Sequence, residues 1–350
     1  MTTIDWESSG WGLRISSVDE LMRLVSRLTL TRVLGERIVW RGVRCASWPI
    51  ESSLQRAIRD YPDYYAAARH ERGPDLLRQA ERSLITLARD WGIGANNGAF
   101  HTDLQVLATL QHHGVPTRLL DVTTDPVTAL WFACAFPPSR GEDDSEDAAL
   151  FAFATAGEEE LTMTVPEGTV SELDDGLAWS LNQALSAGAS RPVLVRPAFP
   201  DARMLAQSGR FLIGQPASQA PEGAADDERR ESPIPGLRAV TYDQVEASSN
   251  GPSLRALLEH EPPSEPVHIP FAAVVIPRAL VREVCEVVLD QYDKTYRALL
   301  PDPAGLADAV RQQAVRLPQW APRHGPTVSD GVMKKLDDRV DEQLRASGPL

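Results

Sequence analysis

Hydrophobic positions change period several times along the chain, and the changes mark out its elements. Val18, Leu21, Leu24, Val25 and Leu28 recur at helical spacing, and Ser17-Val18-Asp19-Glu20 reads as a capping box at their start. Arg37-Ile38-Val39-Trp40 predicts a short strand that ends at Arg41-Gly42. Pro74 opens a long amphipathic helix with Leu76, Leu77, Ala80, Leu84, Leu87, Ala88 and Trp91 on one face, stopped by Gly92 and Gly94. A second helix is predicted from about Thr102 to His113, with Gly114 as a left-handed cap. Strands are predicted at Ala148 to Ala154, at Pro192 to Val195, near Phe211-Leu212-Ile213 and from Val267 to Ile276. Pro277 to Tyr292 then predicts a helix with Leu280, Val284, Val287 and Val288 facing inward.

The intervening stretches are polar. Ser139 to Asp147 is acidic and predicts a solvated loop, and residues 215–236, rich in Pro, Gly, Ala and acid, predict a mobile connection. After Leu317 the chain is polar, with scattered prolines and a charged helix predicted from about Ser329 to Arg345. No internal repeat is visible. The mixture of periods predicts an α+β fold with a mixed sheet, an N-terminal helical segment over residues 1–36 and a C-terminal tail with its charged helix over 316–350.

Composition narrows the function classes. The 350 residues carry a net charge of −14, which argues against a general grip on DNA or on an anionic membrane but leaves room for a local basic pocket. Cys45, Cys134 and Cys285 form no Cys-x-x-Cys pair, so a reduced, cytoplasmic setting is expected. The first residues lack a charged region followed by an apolar run, and no stretch of about 18 apolar residues occurs. Neither a signal peptide nor a membrane span is expected.

The densest chemistry lies in Gln111-His112-His113-Gly114-Val115-Pro116-Thr117-Arg118-Leu119-Leu120-Asp121-Val122-Thr123. So many polar groups are costly to bury without partners, so the run is either a site or a structural network. The next residues look like a helix start: Thr124 can cap, Asp125 suits the positive end and Pro126 fits the first turn. A strand would then deliver Arg118 and Asp121 to a helix N-terminus able to receive an anion. Arg118 and Asp121 could equally form a buried pair, or Asp121 could orient a ribose hydroxyl. His112 and His113 point in different directions from one helix end and have no Cys or carboxylate at metal-like spacing, so no metal site is expected. One of them suits the negative end of the helix, and the other could donate to a ligand phosphate or ribose. Arg41, where a strand meets Gly42, suits bidentate capture of phosphate or carboxylate, or else pairs with an internal acid; Gly42 would let the backbone approach a ligand. Gln207, in Gln207-Ser208-Gly209-Arg210-Phe211, is a turn stabiliser or a third site residue.

These segments resemble the FRG-domain family, named for an aromatic-Arg-Gly tripeptide that reads Trp40-Arg41-Gly42 here, with Trp48-Pro49-Ile50 after it. The resemblance continues through the Gln111–Asp121 block and through Arg203 to Phe211, and ends near Leu300 to Leu306. It thus covers roughly residues 37–315 as one domain. Val122 departs from it, since the family usually has Trp after the Asp.

The order of the motifs is similar to that of ADP-ribosyltransferases, which use Arg, then Ser-Thr-Ser, then Glu. That similarity implies a partly split sheet and NAD as co-substrate. Arg41 would hold the diphosphate, the Thr123-Thr124 segment would support the nicotinamide pocket, and Gln207 would stand where the Glu binds the ribose 2′-hydroxyl. The implied catalytic set is Arg41, Asp121 and Gln207; the implied cofactor-binding set is Arg41, Gly42, Gln111, His112, Thr117, Arg118, Thr123 and Thr124. Gln207 is not a carboxylate and no acid lies between Arg203 and Gly214, so Asp121 would have to supply the missing charge. Three readings follow: an ADP-ribosyltransferase-like or NAD-cleaving effector, in the manner of bacterial toxins or phage-defence proteins, with a protein or RNA target; a non-catalytic nucleotide or RNA-end sensor or interaction module; and a nuclease-like hydrolase.

Overall fold

The structure, a computed structural model, describes residues 3–30, 37–61, 73–96, 99–136, 145–155, 161–162, 193–196, 201–213, 234–235, 237, 251–259 and 269–311. The predicted helix at 329–345, the 316–350 tail and all but Ile234 and Pro235 of the 215–236 stretch lie outside the described residues.

One mixed sheet organises the molecule. In chain order its strands are β1 (Gly12–Arg14), β2 (Arg37–Val43), β5 (Leu120–Thr123), β6 (Ala148–Thr155), β7 (Leu161–Thr162), β8 (Val193–Arg196), β9 (Gly209–Ile213) and β10 (Phe271–Ile276), while β3 (Ala95–Asn96) and β4 (Ala99–Phe100) form a separate hairpin. Seven strands run in the order β1-β10-β6-β2-β5-β9-β8, and the two-residue β7 extends the edge beside β8. Pairing is antiparallel except for β1 with β10 and β7 with β8. The N-terminal segment therefore supplies a sheet strand as well as a helix.

Long ladders join β6 to β10 and to β2, whereas β2 meets β5 at a single pair, Trp40 with Thr123. The sheet is thus two well-paired halves hinged on one contact, and β2 and β5 part beyond it. That gap positions the site described below.

Both faces are covered. Strand β6 is buried at every position, as expected of a central strand with no solvent face. Its Leu150 and Ala152 pack beneath α1 (Val18–Leu30) and α5 (Pro126–Cys134), and beneath the helical turns after β10. Phe151 and Phe153 face the other way, onto Trp6, Trp11 and Phe271. Over the second half, Leu119, Phe211 and Ile213 pack against α3 (Gly73–Asp90) and α4 (Asp103–His112) through Ile85, Leu104 and Leu107.

Two helices depart from the predicted faces. In α3 the buried stripe is Leu77, Glu81, Ile85 and Ala88, while Leu87 and Trp91 are exposed. The helix turns to seat Glu81 inside, which carries Leu87 and Trp91 outward. After β10, α6 (Ala202–Ala206) and α7 (Gly251–Glu259) having come earlier, α8 (Arg278–Glu283) passes into a π-helical segment, Val284–Leu289. The extra residue per turn rotates Val287 to the outside and leaves Val284, Val288 and Leu289 buried. The final described elements are α9 (Tyr296–Leu299) and α10 (Pro303–Arg311).

Candidate functional site

Where β2 and β5 part, Asp121 has a backbone carbonyl that no β2 amide reaches in register. Arg41 reaches it instead, its Nη1 donating to the Asp121 carbonyl at 2.7 Å. The same nitrogen lies 3.8 Å from Asp121 Oδ2, so the carboxylate is close but off the hydrogen bond. The Arg41 side chain is 21% exposed and that of Asp121 59%. Burial pushes the Arg41 pKa down, Asp121 offsets this, and the neighbouring charge of Arg56 adds to the fall. Arginine stays protonated regardless, so the shift expresses a guanidinium short of solvation and of negative charge.

Asp121 is held from the helix side. Gln111, on the last turn of α4, donates from Nε2 to Asp121 Oδ2 at 2.8 Å. Its Oε1 accepts from Thr117 Oγ1 at 2.7 Å and from Ser53 Oγ at 3.2 Å. Ser53 opens α2 (Ser53–Asp60), whose Ser52–Gln55 capping box fixes the helix start. Thr117 and Ser53 also bond through the backbone: Thr117 N donates to Ser53 Oγ at 2.9 Å and Leu54 N to the Thr117 carbonyl at 3.0 Å. Three chain segments thus end on one exposed carboxylate beside one cation.

The FRG domain family matches residues 36–142. The chain carries an FRG domain. No curated protein and no solved structure matches it. Both motifs that marked the resemblance lie inside the matched span, and they meet at Arg41 and Asp121; the segments at 203–211 and 300–306 fall outside it.

Other residues of the FRG motifs are engaged in the fold. A Cβ on Gly42 would lie 1.8 Å from the Ala129 carbonyl oxygen, so the glycine admits α5 onto β2; the close approach it permits is to a helix. Arg118 pairs with Glu81, not with Asp121: Nε donates to Oε1 at 3.1 Å and Nη2 lies 3.0 Å from Oε2, with the two side chains 3% and 0% exposed. A bend at Arg118 breaks the strand alternation, so Thr117 through Leu120 are all buried.

The N-terminus of α5 receives its anion from the chain itself. Asp125, not Thr124, is the N-cap, accepting from Val127 N at 2.9 Å and Thr128 Oγ1 at 2.8 Å. Lys294 Nζ donates to the same carboxylate at 2.5 Å. This arrangement occupies the place where an incoming anion was expected.

Thr123 Oγ1 donates to the Gln207 carbonyl at 2.7 Å, and Thr124 N to the Ser208 carbonyl at 3.2 Å. The second and third motifs therefore adjoin through backbone. The Gln207 amide, however, donates to the Leu299 carbonyl at 3.0 Å, anchoring the C-terminal helices. His112 Nδ1 lies 3.0 Å from Asp201 Oδ2, and burial pushes its pKa down against the pull of Asp201. Among the described residues no group of three or more His, Cys, Asp and Glu could hold a metal ion, and no helix is long and apolar enough to cross a membrane.

Sequence reasoning missed Ser53, Arg56 and Glu81. The Ser52-x-x-Gln55 box was readable as a helix start. Glu81 was readable as a carboxylate on an apolar stripe, four residues from both Leu77 and Ile85. Arg56 carries no such signal.

Proposed function

We propose that the FRG domain binds a nucleotide of the NAD class at the gap between β2 and β5. Arg41 takes the phosphates and Asp121 takes a ribose hydroxyl. The observation that carries this reading is the half-open Arg41–Asp121 pair: a partly desolvated guanidinium whose hydrogen bond goes to a backbone carbonyl, 3.8 Å from a carboxylate that stands largely in solvent. An incoming phosphate gives Arg41 charge-assisted hydrogen bonds that a neutral carbonyl does not.

Two activities are compatible with such a site. In the ADP-ribosyltransferase-like reading, Arg41 clamps the diphosphate while Asp121 stabilises the oxocarbenium character that develops as the nicotinamide–ribose bond breaks. The engagement of Gln207 with Leu299 favours the second reading, a sensor that binds without cleavage, because no third-motif carboxylate stands in reserve. Purified protein incubated with NAD separates them. Nicotinamide release abolished by Arg41→Ala and Asp121→Asn supports cleavage. Thermal stabilisation by NAD without release supports the sensor. No binding and no release removes both.

A further inference from the structure

Resting on that reading, we infer that Gln111 is the positioning residue that makes the site selective for a ribose-bearing ligand over a bare phosphate. The inference starts from the polarity of an amide. A glutamine side chain can be flipped, and which end faces a partner is settled by the surrounding donors and acceptors. Around Gln111 two hydroxyls, Thr117 Oγ1 and Ser53 Oγ, converge on one atom at 2.7 and 3.2 Å. The opposite end meets the carboxylate of Asp121 at 2.8 Å. A carboxylate only accepts, so the amide nitrogen must face it and the amide oxygen must face the hydroxyls.

This locks the carboxylate in turn. One oxygen, Oδ2, is tied to Gln111 and stands 3.8 Å from Arg41 Nη1, so the plane of the group is set with respect to the cation. Among the described residues Gln111 is the side chain that hydrogen-bonds it, and most of the group faces solvent. What it presents outward is a fixed acceptor beside a fixed cation. A phosphate alone satisfies the cation; a phosphate with a neighbouring sugar hydroxyl satisfies both. Gln111 touches neither ligand group, and acts through Asp121.

The substitution Gln111→Glu tests this, because protonation decides whether the new side chain can imitate the old one. Its neutral carboxyl accepts through one oxygen and donates through the other, matching the amide. Its ionised form places like charges in contact, which raises the pH at which the proton leaves. With ADP-ribose and inorganic pyrophosphate as probes, the full-length variant should bind ADP-ribose about ten- to a hundredfold more weakly than the parent at pH 8. It should recover as the pH is lowered toward about 5, while pyrophosphate, lacking a sugar hydroxyl, feels only the added charge at pH 8 and loses less affinity than ADP-ribose. Gln111→Met, which removes the donor without adding charge, should lose ADP-ribose affinity at every pH. ADP-ribose binding that depends on Arg41 but ignores both Gln111 variants at all pH values overturns this inference alone. Failure of the parent to bind either probe, or binding that survives Arg41→Ala, overturns the underlying reading and this inference with it.

Discussion

Arg118 and Arg41 each stand beside a carboxylate, yet the two pairs are built for different ends. Arg118 and Glu81 are sealed between α3 and the approach to β5, with both side chains almost fully buried and two contacts between them. Arg41 and Asp121 sit where the sheet parts, linked through a carbonyl and open to solvent on the acid's side. Residue types are shared, so burial and pairing geometry separate a structural tie from a candidate binding site. A sealed pair lies out of a ligand's reach; a half-open one has a cation and an acceptor to offer.

The sealed pair should fail first. Glu81→Ala takes a carboxylate away from the buried Arg118 charge and should cost about 3–5 kcal/mol in urea unfolding. Replacing both partners, Arg118→Met with Glu81→Leu, should restore most of that stability. A single variant with parental stability would show that the pair is not sealed in solution.

Gly42→Ala comes next. The added methyl meets the Ala129 carbonyl oxygen at 1.8 Å, so α5 must lift from β2 beside the open pair, at a cost of about 1–3 kcal/mol. The measurement is again urea unfolding, and a neutral substitution would mean that β2 and α5 are less closely packed.

Asp125 lies between the two extremes of exposure. Burial raises its pKa, but the Lys294 and Thr128 hydrogen bonds, the Lys294 charge and the Val127 amide together outweigh burial and hold it below the ordinary value. A folded pKa below the unfolded one adds stability above the unfolded value, about pH 3.9. That stability is lost as pH falls through the folded value. Asp125→Asn should therefore lower stability by about 1 kcal/mol at pH 7. The difference from the parent should shrink on acidification below about pH 4. A gap that is constant with pH would contradict the assignment.

How far this division could be read from the sequence depended on the range of each contact. Continuous apolar runs marked β6 and β10, and Thr102 with Gly114 marked the limits of α4, since each of those signals is local. The Thr102 side chain does cap the helix, and Gly114 does adopt positive φ. Gly42 was misread because its reason, the Ala129 carbonyl, lies in a distant helix. Arg118 was matched to the nearest acid in sequence, whereas its partner is 37 residues upstream on α3. Thr124 was read as the cap and Asp125 as a charge at the positive helix end, but Asp125 is the N-cap, and its ion-pair partner Lys294 comes from far along the chain. The meeting of Arg41 with Asp121 was anticipated from motif order, but the gap that leaves them half-open arises from the single β2–β5 pair, which no local pattern encodes.

Calorimetric titration of ADP-ribose into the parent, Arg41→Ala and the Arg118→Met/Glu81→Leu double variant tests the contrast most directly. The account predicts binding by the parent and the double variant, and at least about tenfold weaker binding by Arg41→Ala. Arg41→Ala should keep its unfolding free energy within about 1 kcal/mol of the parent. Binding lost in the double variant but retained in Arg41→Ala would contradict it.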